Sequence, residues 1–458
     1  MTAANIKAIG IATFLHFLVD GLCVCSLYLM VETATLTEML AFFLTYNILA
    51  FMTQPLTGWW IDRLQQRRAA LLISTSLLTS AVVLLLASTL WWGLNSCSMI
   101  AVALLLGMGN SMFHVWGGKL TAMLTGNDIR ALGIFVSTGV LGLTIGVLYA
   151  SWWLLASMLL LITLLGIIPL RTEAPLPSAL IPQPSSLIHQ PSSLIHQPSS
   201  LIPQPSSLIH QPSSIILLLL ILTFVMLRSF VGEVVQVGLE KTSSVLLLFA
   251  VAAMAGKACG GWLARWWDIS YAIVICVGIT AVCLMWKGAA GIPLLPILIG
   301  IFAINLTMPM TLYLANRLLP KREGLSFGLL AAVLIPGYFL ANYIDLSFDH
   351  NFMLSALLLT ISIEVGMLLF MGEKSKSVLL GAVAVNILTN VPLNHFLLTY
   401  GTSTERLIAG ELMVVVVEAL WYYLFVRQWR KALAYSLLCN ATSFLVGILI
   451  QQLICYTL

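Results

Sequence analysis

The sequence predicts an all-α polytopic membrane protein with two six-helix bundles, followed by about three extra C-terminal transmembrane helices. Its 458 residues are 60% hydrophobic and only 8% charged, and the mean hydropathy is +1.02. About a quarter of the residues in a water-soluble domain are charged, so this composition excludes a soluble globular protein. Apolar runs of about twenty residues, the length that crosses the hydrocarbon core of a bilayer, recur along the whole chain.

Six apolar runs come first and predict an N-terminal bundle over residues 1–171. They lie at 7–31, 37–60, 69–92, 97–124, 131–152 and 153–170. The first run is long and polar at its centre, so we interpret it as a membrane helix rather than a cleaved signal peptide. Most of the cysteines lie within apolar runs, which argues against a disulfide framework.

A low-complexity segment follows the first six runs. Copies of Pro-Ser-Ser-Leu-Ile-His-Gln place a proline at every seventh position from 177 to 212. Prolines at this spacing block a continuous helix, and the serine-rich spacers bury too little apolar surface to fold. We therefore predict a cytoplasmic linker over residues 172–214. Its histidines have no fixed geometry, so we predict no metal site there.

Six more apolar runs predict a C-terminal bundle over residues 215–373. They lie at 215–240, 243–264, 270–286, 292–316, 325–346 and 353–372. Residues 261–265 are similar to residues 58–62, and both stretches end the second run of their half, so we expect two related halves. Three last runs, at 377–400, 405–426 and 431–455, form an appendix over 374–458, for which packing or assembly is the simplest role.

The lysines and arginines predict the orientation in the membrane. Most of them fall in loops on one side of the predicted spans, whereas Lys241, Lys287 and Arg406 fall on the other side. Cytoplasmic loops carry the excess of positive charge, which places the N-terminus in the cytoplasm and the C-terminus outside. We expect a multi-pass protein of the cytoplasmic (inner) membrane that contacts the lipid bilayer and no nucleic acid.

Titratable side chains inside the first predicted bundle are functional candidates, because charge at bilayer depth is expensive. His16 and Asp20 lie four residues apart on one face of the first helix, close enough to interact. We predict that they bind a proton; the alternative is a structural pair that joins this helix to its neighbours. We assign His114 of the fourth helix to the same proton-coupling group, with a hydrogen-bonded interhelical histidine as the alternative.

Polar residues of the second half are predicted to line a substrate cavity. They are Arg228, Glu233, Lys257 and Asn305. Residues five apart on a helix point in different directions, so Arg228 needs an acid from another helix rather than Glu233. Asp20 and Glu364 are the candidates. Lys257 either binds an anionic substrate or neutralises Glu233.

The loop after the second apolar run carries an ordered pattern, Gly-x-x-x-Asp-Arg-x-x-x-Arg-Arg. Its members are Gly58, Asp62, Arg63, Arg67 and Arg68. The glycine lets a neighbouring helix approach, and the charged residues can cap or pair with that helix. This pattern resembles the loop between helices two and three of the major facilitator superfamily, although Gln65 replaces a usual glycine. The resemblance implies a cytoplasmic gate; an ordinary positive-inside loop is the alternative.

A further set of residues is similar to the fosmidomycin-resistance efflux branch of that superfamily. The set includes His16, Asp20, Phe113, His114, Gly139, Gly142 and Gly146. The resemblance implies a drug-efflux antiporter that exchanges its substrate for protons. Val115 and Trp116 depart from the pattern of the branch, which indicates a changed cavity. The three glycines are also expected to serve helix packing.

Together these features predict a secondary active transporter that exports a small molecule by proton-coupled alternating access. We expect a monomer without a cofactor, with the C-terminal helices available for assembly. The alternative is a transporter-like membrane scaffold or sensor that binds a ligand without transporting it. An enzyme is disfavoured, because the sequence shows no nucleophile or metal-ligand set beside His16 or His114 and no nucleotide-binding loop.

Overall fold

The protein is helical throughout the residues that the computed structural model describes, which are 2–64, 68–168, 212–236, 239–289, 294–343, 348–401 and 403–456. These residues form 17 α-helices and no β-strand. In chain order the helices are α1 (Ala3–Val31), α2 (Leu36–Asn47), α3 (Gln54–Ile61), α4 (Ala69–Ala87), α5 (Ser96–Thr125), α6 (Ile129–Leu148), α7 (Trp152–Ile167), α8 (Pro212–Val234), α9 (Ser243–Trp266), α10 (Ile269–Ala289), α11 (Leu294–Leu318), α12 (Glu323–Ala332), α13 (Leu334–Tyr343), α14 (Phe348–Phe370), α15 (Lys376–Tyr400), α16 (Thr404–Val426) and α17 (Trp429–Tyr456).

The helices account for all fifteen predicted membrane spans, six, six and three along the chain. Within the described residues, thirteen helical segments are long and apolar enough to cross a membrane. Two shorter apolar helices, Trp152–Ile167 and Leu354–Phe370, occupy the positions of the other two predicted spans. The protein is therefore an all-α multi-pass membrane protein, and its predicted extra C-terminal helices are α15, α16 and α17.

Two prolines mark where helices begin. A π-helical turn at Ile48–Met52 joins α2 to α3, and Pro55 follows it in the first turn of α3. Pro212 begins α8. The first turn of a helix accepts proline, because its N–H groups have no partner inside the helix. The last three residues of the predicted linker thus belong to α8, and the rest of the linker lies outside the described residues.

Packing between helices divides the chain into two compact units. Unit 1 comprises Met1–Leu227 with Thr311–Pro336, and unit 2 comprises Arg228–Met310 with Gly337–Leu458. In unit 1, α1 packs along α5 and α6, and α3 packs against α5 and α12. In unit 2, α14 packs against α10, α15 and α17, and α16 packs against α15 and α17. The division into two bundles on either side of the linker stays a prediction.

The three extra helices share a buried core with α14. This core includes Leu368 of α14, Val385 of α15, Tyr422 of α16 and Cys439 of α17. Lipid is as apolar as these side chains, so close packing and interhelical hydrogen bonds, rather than escape from water, stabilise the association. The appendix is therefore an integral part of unit 2.

Candidate functional site

Glycines of α6 bring that helix against α1 in unit 1. A Cβ atom at Gly142 would overlap the carbonyl oxygen of Phe17, and one at Gly146 would lie 2.5 Å from the carbonyl oxygen of Gly21. A Cβ at Gly139 would overlap the Asp20 carboxylate. The three glycines predicted to pack helices thus lie on the face of α6 that contacts α1, and only glycine leaves room there for the backbone and the acid.

His16, Asp20 and His114 meet in a tight cluster beside this glycine face. The Nε2 atoms of the two histidines are 2.9 Å apart. His16 Nε2 lies 3.3 Å from Asp20 Oδ2, and His114 Nε2 lies 3.3 Å from Asp20 Oδ1. The exposed fractions of the three side chains are 6%, 8% and 12% for His16, Asp20 and His114. The cluster joins α1 to α5 and is nearly closed to solvent.

Backbone carbonyls fix the tautomers of both histidines. His16 Nδ1 lies 2.7 Å from the carbonyl oxygen of Phe135, and His114 Nδ1 lies 3.0 Å from that of Asn110. A carbonyl oxygen only accepts hydrogen bonds, so both Nδ1 atoms must donate. Each Nε2 atom is then a bare acceptor when its ring is neutral. Two bare acceptors at 2.9 Å repel each other, and a proton between them would turn the contact into a hydrogen bond.

A proton shared by the two rings would make the cluster electrically neutral. One protonated imidazole would carry a positive charge, and the Asp20 carboxylate beside both rings would balance it. A charged pair at this distance attracts far more strongly in a low-dielectric interior than in water. Losing the proton would leave two imidazole lone pairs and a carboxylate facing one another. The arrangement is therefore suited to hold one proton while it stays closed.

Asn110 is a member of the cluster that the sequence analysis did not identify. Its Nδ2 donates to Asp20 Oδ1 at 3.1 Å, and its backbone carbonyl orients His114. Its Oδ1 atom is buried and has no hydrogen-bond partner among the described residues. Asn110 and His114 lie four residues apart on α5, so helical spacing could have revealed the pair.

The sequence analysis expects no set of metal ligands beside either histidine, but the structure brings three potential ligands together there. The candidate ligand atoms of His16, Asp20 and His114 lie within 4.8 Å of one another, a spacing found in metal sites. The residues come from two helices separated by about ninety positions, so the sequence did not show that they meet. A shared proton is sufficient to satisfy the contact between the two Nε2 atoms.

A second polar contact in unit 1 lies at the predicted gate. Asp62 accepts hydrogen bonds from the backbone N–H groups of Gly324 at 2.9 Å and Leu325 at 2.8 Å, in the first turn of α12. Lys119 Nζ lies 3.2 Å from Asp62 Oδ1. A carboxylate at a helix N-terminus satisfies free N–H groups and complements the helix dipole. Asp62 therefore caps α12 from a position far away in sequence.

The helices on either side of this cap meet through backbone. A Cβ atom at Gly58 of α3 would overlap the backbone of Gly324, and one at Gly328 would overlap the carbonyl of Gln54. Small residues are what allow two membrane helices to approach this closely. The predicted glycine at the end of α3 thus contacts glycine on α12.

The arginines of the gate pattern have different surroundings. The guanidinium of Arg63 stacks on the Trp59 ring, with its carbon 3.3 Å from the ring centroid. Arg68 donates to the carbonyl oxygen of Gly166 at 3.2 Å and to that of Ile167, at the C-terminal end of α7. A cation there complements the helix dipole. Arg67 lies outside the described residues.

The residues predicted to line a cavity lie in unit 2, and the structure does not pair them as expected. Arg228 is buried, and its Nη1 atom has no hydrogen-bond partner among the described residues. Glu364, one of its candidate partners, instead accepts from Asn386 at 2.7 Å and from Ser443 at 3.3 Å. The expected pair with Glu364 is therefore wrong, because α15 and α17 supply neutral donors to this acid. The pairing of Arg228 with Asp20 stays a prediction.

The other predicted cavity residues are partly buried. Glu233 lies near the end of α8, and Lys257 lies in the middle of α9. Asn305 of α11 donates to the carbonyl oxygen of Ile301 in its own helix at 2.8 Å. Its Cβ atom would be 2.9 Å from a Cβ at Gly256, so α9 and α11 approach closely beside it.

The family of the chain follows from comparison with known proteins. A family model described as Major Facilitator Superfamily matches residues 9–341, which is more than half of the sequence. The chain belongs to the Major Facilitator Superfamily. As a member of this superfamily it is a multi-pass secondary transporter, in a family of transporters rather than enzymes. Helices α15, α16 and α17 lie beyond the matched residues.

Solved structures show the same superfamily fold. A crystal structure of the E. coli fucose:proton symporter FucP has a TM-score of 0.55 at 11% sequence identity. The match covers 81% of this chain and 100% of the FucP chain. A structure of FucP in the outward conformation has a TM-score of 0.54 at 12% identity, with the same coverage of 81% and 100%. No curated protein matches the chain. At these identities the likeness concerns the fold.

Proposed function

We propose that the protein exports a small molecule by proton-coupled alternating access, and that His16, Asp20 and His114 bind the coupling proton. The observation that carries this proposal is the 2.9 Å contact between the two Nε2 atoms, which a shared proton would satisfy. Both rings already donate their Nδ1 hydrogens to backbone carbonyls, so no other hydrogen of these rings satisfies the contact. A membrane-embedded acid with two titratable neighbours is a characteristic proton relay.

Proton release in this mechanism requires α1, α5 and α6 to loosen. In the closed cluster, the proton neutralises an acid that is almost inaccessible to water. When the helices separate, water can replace the histidines as the partner of Asp20, and the proton can leave. Gly139 takes part because the absence of its side chain lets α6 close directly over Asp20 and His16. Proton binding thus favours the closed packing of these three helices.

The gate residues supply a second element of the mechanism. The Asp62 cap on α12, with Lys119 beside it, closes one contact between α3 and α12. Two hydrogen bonds from the α12 backbone to Asp62 form this contact, and the ion pair joins Asp62 to Lys119 of α5; each interaction is of modest strength. We propose that it opens and closes during alternating access, as the resemblance of the 58–68 pattern implies. Arg63 and Arg68 position the ends of α3 and α7 through their stacking and capping contacts.

Arg228 is the residue that says most about which chemical group the substrate carries. A guanidinium that is buried without a partner for Nη1 is suited to an anionic or carbonyl group of a ligand. We propose that Arg228 binds such a group, with Glu233, Lys257 and Asn305 contributing to specificity. Export, rather than uptake, rests on the resemblance to the efflux branch. FucP is described as a proton symporter, so proton coupling is known on this fold.

The first experiment compares the growth of cells with and without the protein on a panel of toxic small molecules that includes fosmidomycin. The compound against which the protein protects is then added to proteoliposomes that contain a pH-sensitive dye and a metal chelator. The wild type should move protons in exchange for the compound. Asp20→Asn should lower this exchange to the level of empty liposomes, while Gly10→Ala, at a position with open space, should preserve it.

Two results would contradict the proposal in different ways. Compound-driven proton movement that is unchanged in Asp20→Asn would remove the cluster from coupling. A compound that binds the protein but does not cross sealed liposomes would favour the ligand-binding scaffold or sensor. The chelator ensures that a metal ion in the cluster does not stand in for the proton.

A further inference from the structure

Two buried acids face each other through a ring of polar side chains in unit 2. Glu364 of α14 accepts from Asn386 of α15, and Glu418 of α16 accepts from Asn440 of α17 at 2.5 Å. Asn390 and Thr389 of α15 and Ser443 of α17 complete the connections between the two acids. Glu364 and Glu418 are both fully buried, with 0% of each residue exposed.

Only one of the two carboxylate oxygens of Glu418 has a secure hydrogen-bond donor. Asn440 supplies Oε2 with a hydrogen and uses its other one on the carbonyl oxygen of Ser436 at 2.9 Å. Thr389 Oγ1 lies 3.2 Å from Glu418 Oε1, but its single hydrogen is directed to the carbonyl oxygen of Val385 at 2.8 Å. The contact with Thr389 is therefore satisfied when Glu418 carries a proton and donates it to the hydroxyl oxygen.

Glu364 has the same arrangement on the other side of the ring. Asn386 donates one hydrogen to Oε2 and the other to the carbonyl oxygen of Ala382 at 3.0 Å. Ser443 Oγ lies 3.3 Å from Oε1, and its single hydrogen has a shorter alternative, the carbonyl oxygen of Asn440 at 3.1 Å. An ionised carboxylate has about four acceptor sites, whereas this one would have one secure donor. A protonated Glu364 can donate to Ser443 instead.

Within the described part of the chain, no ion pair gives Glu364 or Glu418 a compensating positive charge, whereas Lys431 pairs with Glu373. Glu411, two turns before Glu418 on α16, adds a third acid whose field acts on both. An unpaired buried charge carries a large desolvation penalty. Neutral carboxylic acids are the form that this environment accepts.

Tyr422 provides an independent observation at the same place. Its ring is fully buried, and its hydroxyl has no hydrogen-bond partner among the described residues. Both Glu364 and Glu418 are near enough to act on it electrostatically. An unpartnered buried hydroxyl beside two acids leaves an acceptor oxygen for an added hydrogen. The cluster is thus built to receive protons, not to hold negative charge.

We propose that Glu364 and Glu418 form a second proton-binding site, assembled when α15, α16 and α17 pack onto α14. Each carboxyl takes one proton from solvent as the helices close and returns it when they separate. Association of the appendix with α14 is therefore linked to pH and weakens as the pH rises, because the closed state binds more protons than the open state. This site shares no residue with the His16, Asp20 and His114 cluster.

Other titratable groups around the site are also neutral hydrogen-bonding groups or acids. Besides Glu411 and Tyr422 of α16, α17 contributes the thiol of Cys439, which contacts the carbonyl oxygen of Glu364 at 3.6 Å. Among the α10 side chains that the structure describes, the titratable ones are Tyr271, which donates to the carbonyl oxygen of Leu369 at 2.7 Å, and the thiols of Cys276 and Cys283. From α15, the ring receives only amides and a hydroxyl.

Infrared spectroscopy of the full-length protein in lipid tests the site directly, because protonated and ionised carboxyls absorb at different frequencies. At neutral pH the wild type should show protonated-carboxyl absorption. Glu364→Gln and Glu418→Gln should each remove a distinct part of it. Glu405→Gln removes an exposed acid on the same helix as Glu418 and should leave the absorption unchanged. Asp20→Asn should also leave it unchanged, because Asp20 is ionised in the proposed transport mechanism.

A second measurement covers variants that fold poorly. Thermal unfolding of the wild type should shift to lower temperature as the pH is raised above neutral, together with loss of the protonated-carboxyl absorption. The double variant Glu364→Gln with Glu418→Gln should lose most of this shift. Ionised Glu364 and Glu418 in the folded wild type at neutral pH would overturn the proposal, as would an unchanged alkaline shift in the double variant.

Discussion

The polar clusters of the two units bury acids in opposite ways. In unit 1, Asp20 lies between two imidazoles and an amide, so a positive charge can form directly beside it. In unit 2, Glu364 and Glu418 contact amides and hydroxyls, and neighbouring acids act on them by charge. A buried acid can be kept ionised by a protonated neighbour or kept neutral by its own proton. The neighbours decide which solution the protein uses.

This difference separates two roles that look alike in the sequence. The unit 1 cluster can move one proton among three groups while its total charge stays the same, which suits coupling. The unit 2 ring has only its own carboxyl protons to lose, and losing them leaves buried negative charge. Exchange there requires helices to separate. We therefore expect substitutions that remove charge to have unequal effects in the two units.

The largest expected difference is between Asp20→Asn and Glu418→Gln in thermal unfolding at neutral pH. Removing the charge of Asp20 leaves a protonated histidine without its partner, and breaking a buried pair lowers the unfolding free energy by about 3 kcal/mol. Glutamine copies the shape and donor of a neutral glutamic acid, so Glu418→Gln should change it by less than about 1 kcal/mol. Equal losses in the two variants would mean that both clusters hold charge.

A smaller effect is expected when the unit 1 cluster is crowded without a change of charge. In Gly139→Ala the new methyl group overlaps Asp20 and His16, whereas Gly10→Ala points into open space. Overpacking of this kind lowers the unfolding free energy by roughly 1–3 kcal/mol, and it should slow proton exchange in proteoliposomes. Gly10→Ala should match the wild type in both measurements. If Gly139→Ala did so as well, α6 would not close over the acid as described.

The smallest effects are expected from the donors of the unit 2 ring. Asn386→Leu removes the one secure donor to Glu364, which should lower the unfolding free energy by about 1–2 kcal/mol. Ser443→Ala removes the oxygen that accepts from protonated Glu364 in our proposal, so its loss should be about 1 kcal/mol. Chemical unfolding of both variants in detergent measures the two losses. An unfolding free energy equal to that of the wild type in both variants would contradict the hydrogen bonds described for Glu364.

Much of the fold could be predicted from the sequence, because membrane spans are local properties. Fifteen apolar runs correspond to helices, and residues four apart, such as His16 and Asp20, do meet. Helix periodicity fixes such neighbours before any tertiary contact forms. Asn110 and His114 have the same spacing, so the same argument could have predicted their contact.

Contacts between helices that are far apart in the sequence could not be predicted from helical spacing. His114 reaches His16 only because α5 packs on α1, and Asp62 finds its donors more than two hundred and sixty positions away on α12. Glu364 was considered as a partner for arginine, yet α15 and α17 supply amide and hydroxyl donors instead. Hydrophobic pattern predicts which residues enter the membrane, but it does not specify which helices become neighbours. Buried polar partners are set by that choice.

The contact of Gly58 with Gly324 has a consequence for the opening that we propose. No side chain lies between the two backbones at this point, so their separation needs no change of rotamer there. The interactions that must break and re-form at the end of α3 are then the hydrogen bonds from the α12 backbone to Asp62. Because both donors belong to the first turn of one helix, they re-form together.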